Sequence, residues 1–258
     1  MTQFQFGKLL EADEYADRYM AGFGFESVCA RARQQRNARF LQEMQPMSIL
    51  EIGCGPMLLA GMDEIGSLGF EKWVIVEPAS RFASHARDLT SEDARFSVVE
   101  AYLEAVTGTL SEMVPDGFDC AIVSGLVHET TAPRALLASA VNLLKPQGRA
   151  LVSAPNAMSF HRLLAVEGGI IASPHELSDL DRKLGHPVVF DRYSLGQLLT
   201  SSGLVDLEFD GYLFKPFTNA QMVAVVDMVG SHLVAGLIEL GRKFPDNAAE
   251  ICMTGKKP

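Results

Sequence analysis

Ile49-Leu50-Glu51-Ile52-Gly53-Cys54-Gly55-Pro56 is the stretch whose reading decides the fold. An apolar run with the character of a buried strand enters a Gly-x-Gly turn, and the residues after it read as a helix over about 57–67. Glycine at 53 and 55 permits a tight turn and lets a ligand lie against bare backbone. A helix opening near Met57 would aim unsatisfied N–H groups at that ligand. Val74-Ile75-Val76-Glu77 then ends the next apolar run on a carboxylate, 22 residues after Gly55. A carboxylate at that strand tip, about 20 residues beyond the glycine turn, is the acceptor a ribose diol needs. Together the two signals predict a nucleoside site.

Outward from this pair, short apolar runs alternate with helical patterns. Strands are expected at Ser48–Ile52, Trp73–Val76, Arg95–Val99, Asp119–Val123 and Arg149–Ser153, with helices at about 57–67, 79–89, 103–114 and 131–144. Such alternation specifies βαβ units, hence an α/β fold with a parallel sheet covered on both faces. A further helix at about 193–202, a strand at Val205–Phe209 and a last strand at Ala248–Met253 complete the pattern. Residues 8–45 read as two helices broken at Gly22 and Gly24, and residues 1–45 are expected to form an N-terminal helical cover over a domain spanning 46–258. Two stretches break the rhythm, at about 155–192 and 211–246. Both follow strands ending on the carboxyl edge, where open α/β sheets bind ligands, so both are expected to roof the site. The helix near 220–241 is apolar nearly all round, which predicts burial in the domain or in a homodimer contact.

Composition narrows the function. The chain has 258 residues, 48% hydrophobic, and a net charge of −10, which argues against a duplex nucleic-acid partner. Cysteines at 29, 54, 120 and 252 form no C-x-x-C pair. Neither a metal site nor a disulfide framework is expected, and a reducing, cytoplasmic setting is. Met1–Leu10 shows no basic stretch followed by an apolar one, so secretion is not expected. Asp227, His232 and Glu239 interrupt Ala220–Leu240, the one stretch resembling a membrane helix.

The ligand class follows from the turn. A dinucleotide fold needs a third glycine, so that the helix can approach the strand and hold a pyrophosphate. That position is Leu58, and Glu51 beside the turn suits an ammonium rather than a phosphate. S-adenosylmethionine has a ribose and an ammonium but no phosphate.

At this point the chain resembles the class I S-adenosylmethionine-dependent methyltransferases over roughly residues 46–258. The resemblance rests on Leu50–Gly55, Glu77-Pro78, Val98-Val99-Glu100-Ala101, Phe118-Asp119 and Leu143–Gly148. It implies a Rossmann-like, seven-stranded, mostly parallel sheet with its last strand antiparallel. It also implies that Glu51, Gly53, Cys54 and Gly55 line the methionyl side, and that Glu77 with Pro78 takes the ribose hydroxyls. Glu100 and Ala101 would sit by the adenine, and Ser124, Gly125 and Leu126 would form the strand-4 wall. The segment Pro155–Arg162 looks like the ubiquinone-biosynthesis-like branch, many of whose members methylate small metabolites. Those relatives often carry Leu-Glu-His after strand 4, whereas this chain has the inverted Val127-His128-Glu129.

Methyl transfer to a hydroxyl needs alignment, exclusion of water and a proton acceptor. Of the six histidines, His128 at the tip of strand 4 is the first candidate base, and His161 in the strand-5 insertion the second. Arg162 could grip an anionic group on the acceptor. Asn156, His175, His186, Glu129 and Tyr212 are further candidates for the acceptor pocket, although the cluster Tyr212, Phe214 and Phe217 reads at least as well as core. The expected reaction is O-methylation of a small polar metabolite. An amine acceptor, a silent cofactor-binding partner protein and an NAD-dependent oxidoreductase are the alternatives.

Overall fold

The computed structural model describes residues 10–22 and 24–258; residues 1–9 of the expected cover, with the expected helical residues 8 and 9, lie outside them. Strands β1 (Ser48–Ile52), β2 (Lys72–Val76), β3 (Phe96–Val99), β4 (Phe118–Ser124), β5 (Leu144–Pro155), β6 (Val205–Tyr212) and β7 (Glu250–Lys256) form one sheet in the order β3-β2-β1-β4-β5-β7-β6. Strands β1 to β5 pair in parallel, and β7 runs antiparallel to both β5 and β6. This is the Rossmann-like sheet that the resemblance implied. Its inner parallel strands β1 and β4 are apolar because both faces are covered; every residue of β1 is buried.

Helices α3 (Ser80–Thr90), α4 (Leu103–Met113), α5 (Pro133–Leu143) and α8 (Arg192–Ser201) fall where the helical patterns placed them. One core face gathers Leu50, Val74, Val123 and Val152 with Leu110, Leu137 and Leu199. The other gathers Ile49, Trp73, Ile75 and Ile122 with Phe40, Leu41, Leu59 and Phe82. The latter includes α1 (Ala12–Ala21) and α2 (Glu26–Met44), which pack on the sheet as a layer of the domain.

The order of strands reverses at β1, which lies between β2 and β4. At such a switch point the two adjoining loops part and leave a crevice beyond the carboxyl ends. Register makes this concrete: Ile52 pairs with both Val76 and Val123. Gly53 and Glu77 therefore leave the sheet level with Ser124, the last residue of β4.

Two elements differ from expectation. The helix expected at 57–67 is a pair of short 3₁₀ turns, Leu59–Gly61 and Asp63–Ile65. Gly61 and Gly66 weaken an already short segment, too short to recover the cost of nucleation, while Leu58, Leu59, Ile65 and Leu68 are buried anyway. No helix N-terminus follows the glycine turn. The single helix expected near 220–241 is two, α9 (Asn219–Val229) and α10 (His232–Lys243), broken at Gly230. It is also not buried in the chain: Met222 is the buried residue of α9, Leu237 and Gly241 those of α10, while Val223, Met228, Val229 and Leu240 are exposed. Among the described residues no helix is long and apolar enough to cross a membrane.

Candidate functional site

A cavity of about 530 Å³ occupies the crevice at the switch point, a size typical of small-molecule sites. Ile52–Met57 lies on one side, with Glu77–Ala79 and Ala101–Glu104 beyond it and Ser124–Leu126 opposite. Tyr15 and Tyr19 of α1, and Arg33, Gln34 and Asn37 of α2, close the remaining side.

The glycine turn is built as the sequence implied. Gly53 and Gly55 have φ of 73° and 59°, the left-handed region in which a side chain is strained. A Cβ on Gly53 would also meet Leu126 Cδ2 at 3.2 Å. The Glu77 carboxylate braces the turn: Oε2 accepts the Gly55 N–H at 3.2 Å and the Cys54 thiol at 3.6 Å, and Oε1 accepts the Ala79 N–H at 2.9 Å. The Cys54 N–H also acts on this carboxylate, so the turn itself supplies its donors. Burial pushes the Glu77 pKa up, and the N–H bonds of Ala79 and Gly55 pull against it.

Glu51, buried on the same cavity wall, has one partner: its Oε2 accepts the Trp73 indole N–H at 3.0 Å. Burial drives its pKa up to about 7, against the opposing effect of that bond. A buried carboxylate this poorly compensated fits a cationic ligand group, as the ammonium of S-adenosylmethionine would be. Leu58, standing where a dinucleotide fold has its third glycine, is buried against the core.

At the tip of β4 three proton-accepting groups converge. Glu129 lines the cavity and accepts the Tyr15 hydroxyl. Behind it His128 and His186 stack edge to face with ring centroids 4.6 Å apart. Asp181, held as a carboxylate despite burial by hydrogen bonds from His186 and Ser178, faces His186 Nδ1 at 3.2 Å. Burial, and then the neighbouring His186 and Arg33, hold the His128 pKa well below its ordinary value. Burial likewise raises Glu129 to about 7.

The sequence matches a family model described as a methyltransferase domain over residues 24–208. The chain belongs to that family. It is a class I S-adenosylmethionine-dependent methyltransferase, and S-adenosylmethionine is its cofactor. By sequence it matches no curated protein. The methyltransferase shares its fold with many solved structures. One, from Thermotoga maritima, is described as a possible histamine N-methyltransferase: 16% identity, TM-score 0.57, covering 95% of this chain and 97% of that one. The N-methyltransferase NodS of Bradyrhizobium japonicum, solved with S-adenosylhomocysteine, has 14% identity and TM-score 0.54, covering 96% and 100%. The plantazolicin methyltransferase BamL, also solved with S-adenosylhomocysteine, has 13% identity and TM-score 0.53, covering 95% and 97%.

In this methyltransferase several expected site residues do other work. His128 is buried behind Glu129 and does not line the cavity, and its depressed pKa leaves it neutral, a weaker base than an ordinary histidine. His161, on α6 (Phe160–Glu167), also lies outside the cavity lining, and burial with the charges of Lys215 and Arg162 lowers its pKa to about 3. Arg162 donates to the Pro174 and Glu176 carbonyls, pinning its own loop rather than facing an acceptor. Asn156 is buried and donates to the Asp246 and Ala248 carbonyls, tying the strand-5 insertion to the chain before β7. His175 pairs with Asp191 at 3.0 Å on the surface. Tyr212 is core, its hydroxyl donating to Glu250. Glu100 points away to Ser80 and Arg87, so Ala101 and Tyr102 line the adenine side that the resemblance gave to Glu100. Of the two insertions expected to roof the site, 155–192 contributes Leu184 to the lining and 211–246 none.

The missed residues lie on α2. Arg33 makes a two-pronged pair with Glu250 at 2.6 and 2.9 Å, and its guanidinium rests on the bare Cα of Gly125. Gln34 donates to the Met57 carbonyl, and Asn37 accepts from Ser124 at 3.3 Å. One helix thereby ties the glycine turn to the β4 tip. The available signal was spacing: positions 30, 33, 34, 37 and 41 share one helical face inside what reads as a plain Arg-rich stretch.

Proposed function

We propose that this methyltransferase acts on an oxygen atom of a small polar metabolite, such as a sugar or a natural-product intermediate. The supporting observation is the convergence of Glu129, His128 and His186 at the β4 tip, because an attacking hydroxyl must lose a proton and a neutral amine need not. When bound, S-adenosylmethionine supplies a sulfonium-activated methyl group. Glu51 would hold its ammonium and Glu77 a ribose hydroxyl. Ala101, Tyr102 and Phe82 would pack against its base, and Ser124–Leu126 would form the opposite wall.

The remaining work is positioning, which in well-oriented systems supplies about 7–11 kcal/mol of the barrier. Tyr15 holds Glu129 by a hydrogen bond and helps exclude water from the acceptor end. Glu129 is the member of the cluster that lines the cavity, so its carboxylate takes the place in our reading that the sequence assigned to a histidine. All four cysteines are buried and unpaired, in keeping with a cytoplasmic setting.

An amine acceptor is the second reading, since the Glu129 carboxylate would also hold an ammonium. Labelled S-adenosylmethionine, offered with matched hydroxyl and amine acceptors, separates the two. We expect methyl ethers, with kcat reduced about 10²–10⁴-fold in Glu129→Gln at unchanged S-adenosylhomocysteine affinity. N-methylated products alone would overturn O-methylation.

A further inference from the structure

We infer that His128, Glu129 and His186 form a binding site for a divalent transition-metal cation at the acceptor end of the cavity. One donor atom from each of the three lies within 4.8 Å of the other two. Both imidazoles are buried, at 6% and 8% exposure, and each has a nitrogen with no hydrogen-bond partner: Nδ1 of His128 and Nε2 of His186. A buried nitrogen without a partner costs free energy, and a metal ion removes that cost.

The surroundings are those of a ligand set. His186 Nδ1 faces Asp181 Oδ1 at 3.2 Å, and a carboxylate can only accept there. Nδ1 therefore carries the hydrogen, which leaves the lone pair on Nε2. Such carboxylate–histidine pairs orient metal-bound imidazoles and raise their basicity. Glu129 Oε1 accepts the Tyr15 hydroxyl and lies 3.9 Å from His128 Nε2, the ring nitrogen on the Glu129 side. Glu129 and Asp181 bring negative charge to the cluster. Arg33, whose charge His128 also feels, is engaged by Glu250 and Glu26.

Two imidazoles and one carboxylate favour a first-row transition ion over magnesium or calcium, which prefer oxygen. Tetrahedral metal–ligand bonds of about 2.0–2.2 Å put neighbouring donors roughly 3.3–3.6 Å apart, so the side chains would draw together by about an ångström. With three protein ligands, a coordination position stays open for an acceptor oxygen. There the cation would polarise an acceptor hydroxyl and ease the loss of its proton to Glu129, the base proposed above. That role rests on the O-methylation reading; the binding site does not.

Zinc calorimetry and visible absorption of added Co²⁺, on the full chain freed of metal by a chelator, test the site without any turnover. We expect one ion per chain, with spectral features of nitrogen ligation. Affinity should fall at least tenfold in His128→Asn and His186→Asn, and by about 10–100-fold in Asp181→Asn, which removes only the supporting carboxylate. His175→Asn, at the exposed pair with Asp191, should bind as the wild type does. S-adenosylhomocysteine titrations of every variant report whether the fold is retained. No uptake by the wild type, or equal uptake by the folded His128, His186 and Asp181 variants, would overturn the site while leaving the methyltransferase reading intact.

Discussion

Glu51 is the residue at which burial and ligand chemistry meet most directly. Its pKa near 7 means that about half the carboxyls are protonated at neutral pH, and only the ionised form pairs with an ammonium. The folded-state pKa is raised, so the free protein holds the proton as pH rises and gives it up only above about 7. Cofactor affinity should therefore strengthen between about pH 6 and pH 8, by up to roughly tenfold per unit below the pKa. Calorimetry with S-adenosylhomocysteine checks this; the slope should flatten in Glu51→Gln. Glu77→Ala should weaken the same binding by about 1.5–3 kcal/mol, because it removes a charged acceptor and also loosens the turn that Glu77 braces. Both carboxylates were legible because each sits one step from a glycine turn or strand end. The partnership of His128 with His186 was not legible, since the two are far apart in sequence and only the fold brings them together.

At the scale of elements, α2 carries more of the site than its composition announces. The Arg33–Glu250 pair joins α2 to β7, and both side chains are largely buried. Removing one partner of a buried pair typically costs about 3–5 kcal/mol, because the other charge is left uncompensated. Glu250→Ala should lose less than that in urea unfolding, because Arg33 keeps Glu26 at 3.1 Å, with weaker cofactor binding as Arg33 shifts against Gly125. Strands were readable because a parallel sheet demands continuous apolar runs. The segment at 57–67 was not, since its leucines are buried by 3₁₀ turns and by a helix alike. The long apolar stretch at 220–241 concealed a break at Gly230, whose φ of 91° a helix cannot hold.

On the scale of the whole molecule, α1 is the part of the cover that lies over the cavity, lining it through Ala12, Tyr15 and Tyr19. Its polar contacts with the rest of the chain include Tyr15 to Glu129, Asp13 to the Ser80 N–H at 2.7 Å, and Arg18 to the Lys183 carbonyl at 2.9 Å. Ala16 is buried in the core face, with Ala12, Tyr19 and Met20 against it, so opening α1 would break these contacts as well as the polar ones. Amides of α1 should exchange faster than those of β1 in the free protein, and slow clearly once S-adenosylhomocysteine is bound; identical exchange in both states would remove α1 from the lid. We propose that the exposed apolar side chains of α9 and α10 meet a second copy, one of the two burials that the apolar pattern of this stretch allowed; light scattering would then register twice 28.1 kDa. A mass of one chain at micromolar concentration would leave that surface without a second copy.

The central claim is that the crevice at the β1–β4 switch point holds S-adenosylmethionine rather than a pyrophosphate-bearing nucleotide. Calorimetric titration of the wild-type protein with S-adenosylhomocysteine, and separately with NAD, tests it most directly. The account predicts one S-adenosylhomocysteine site per chain, weakened in Glu51→Gln, and no heat from NAD. Saturable NAD binding with no response to S-adenosylhomocysteine would contradict it.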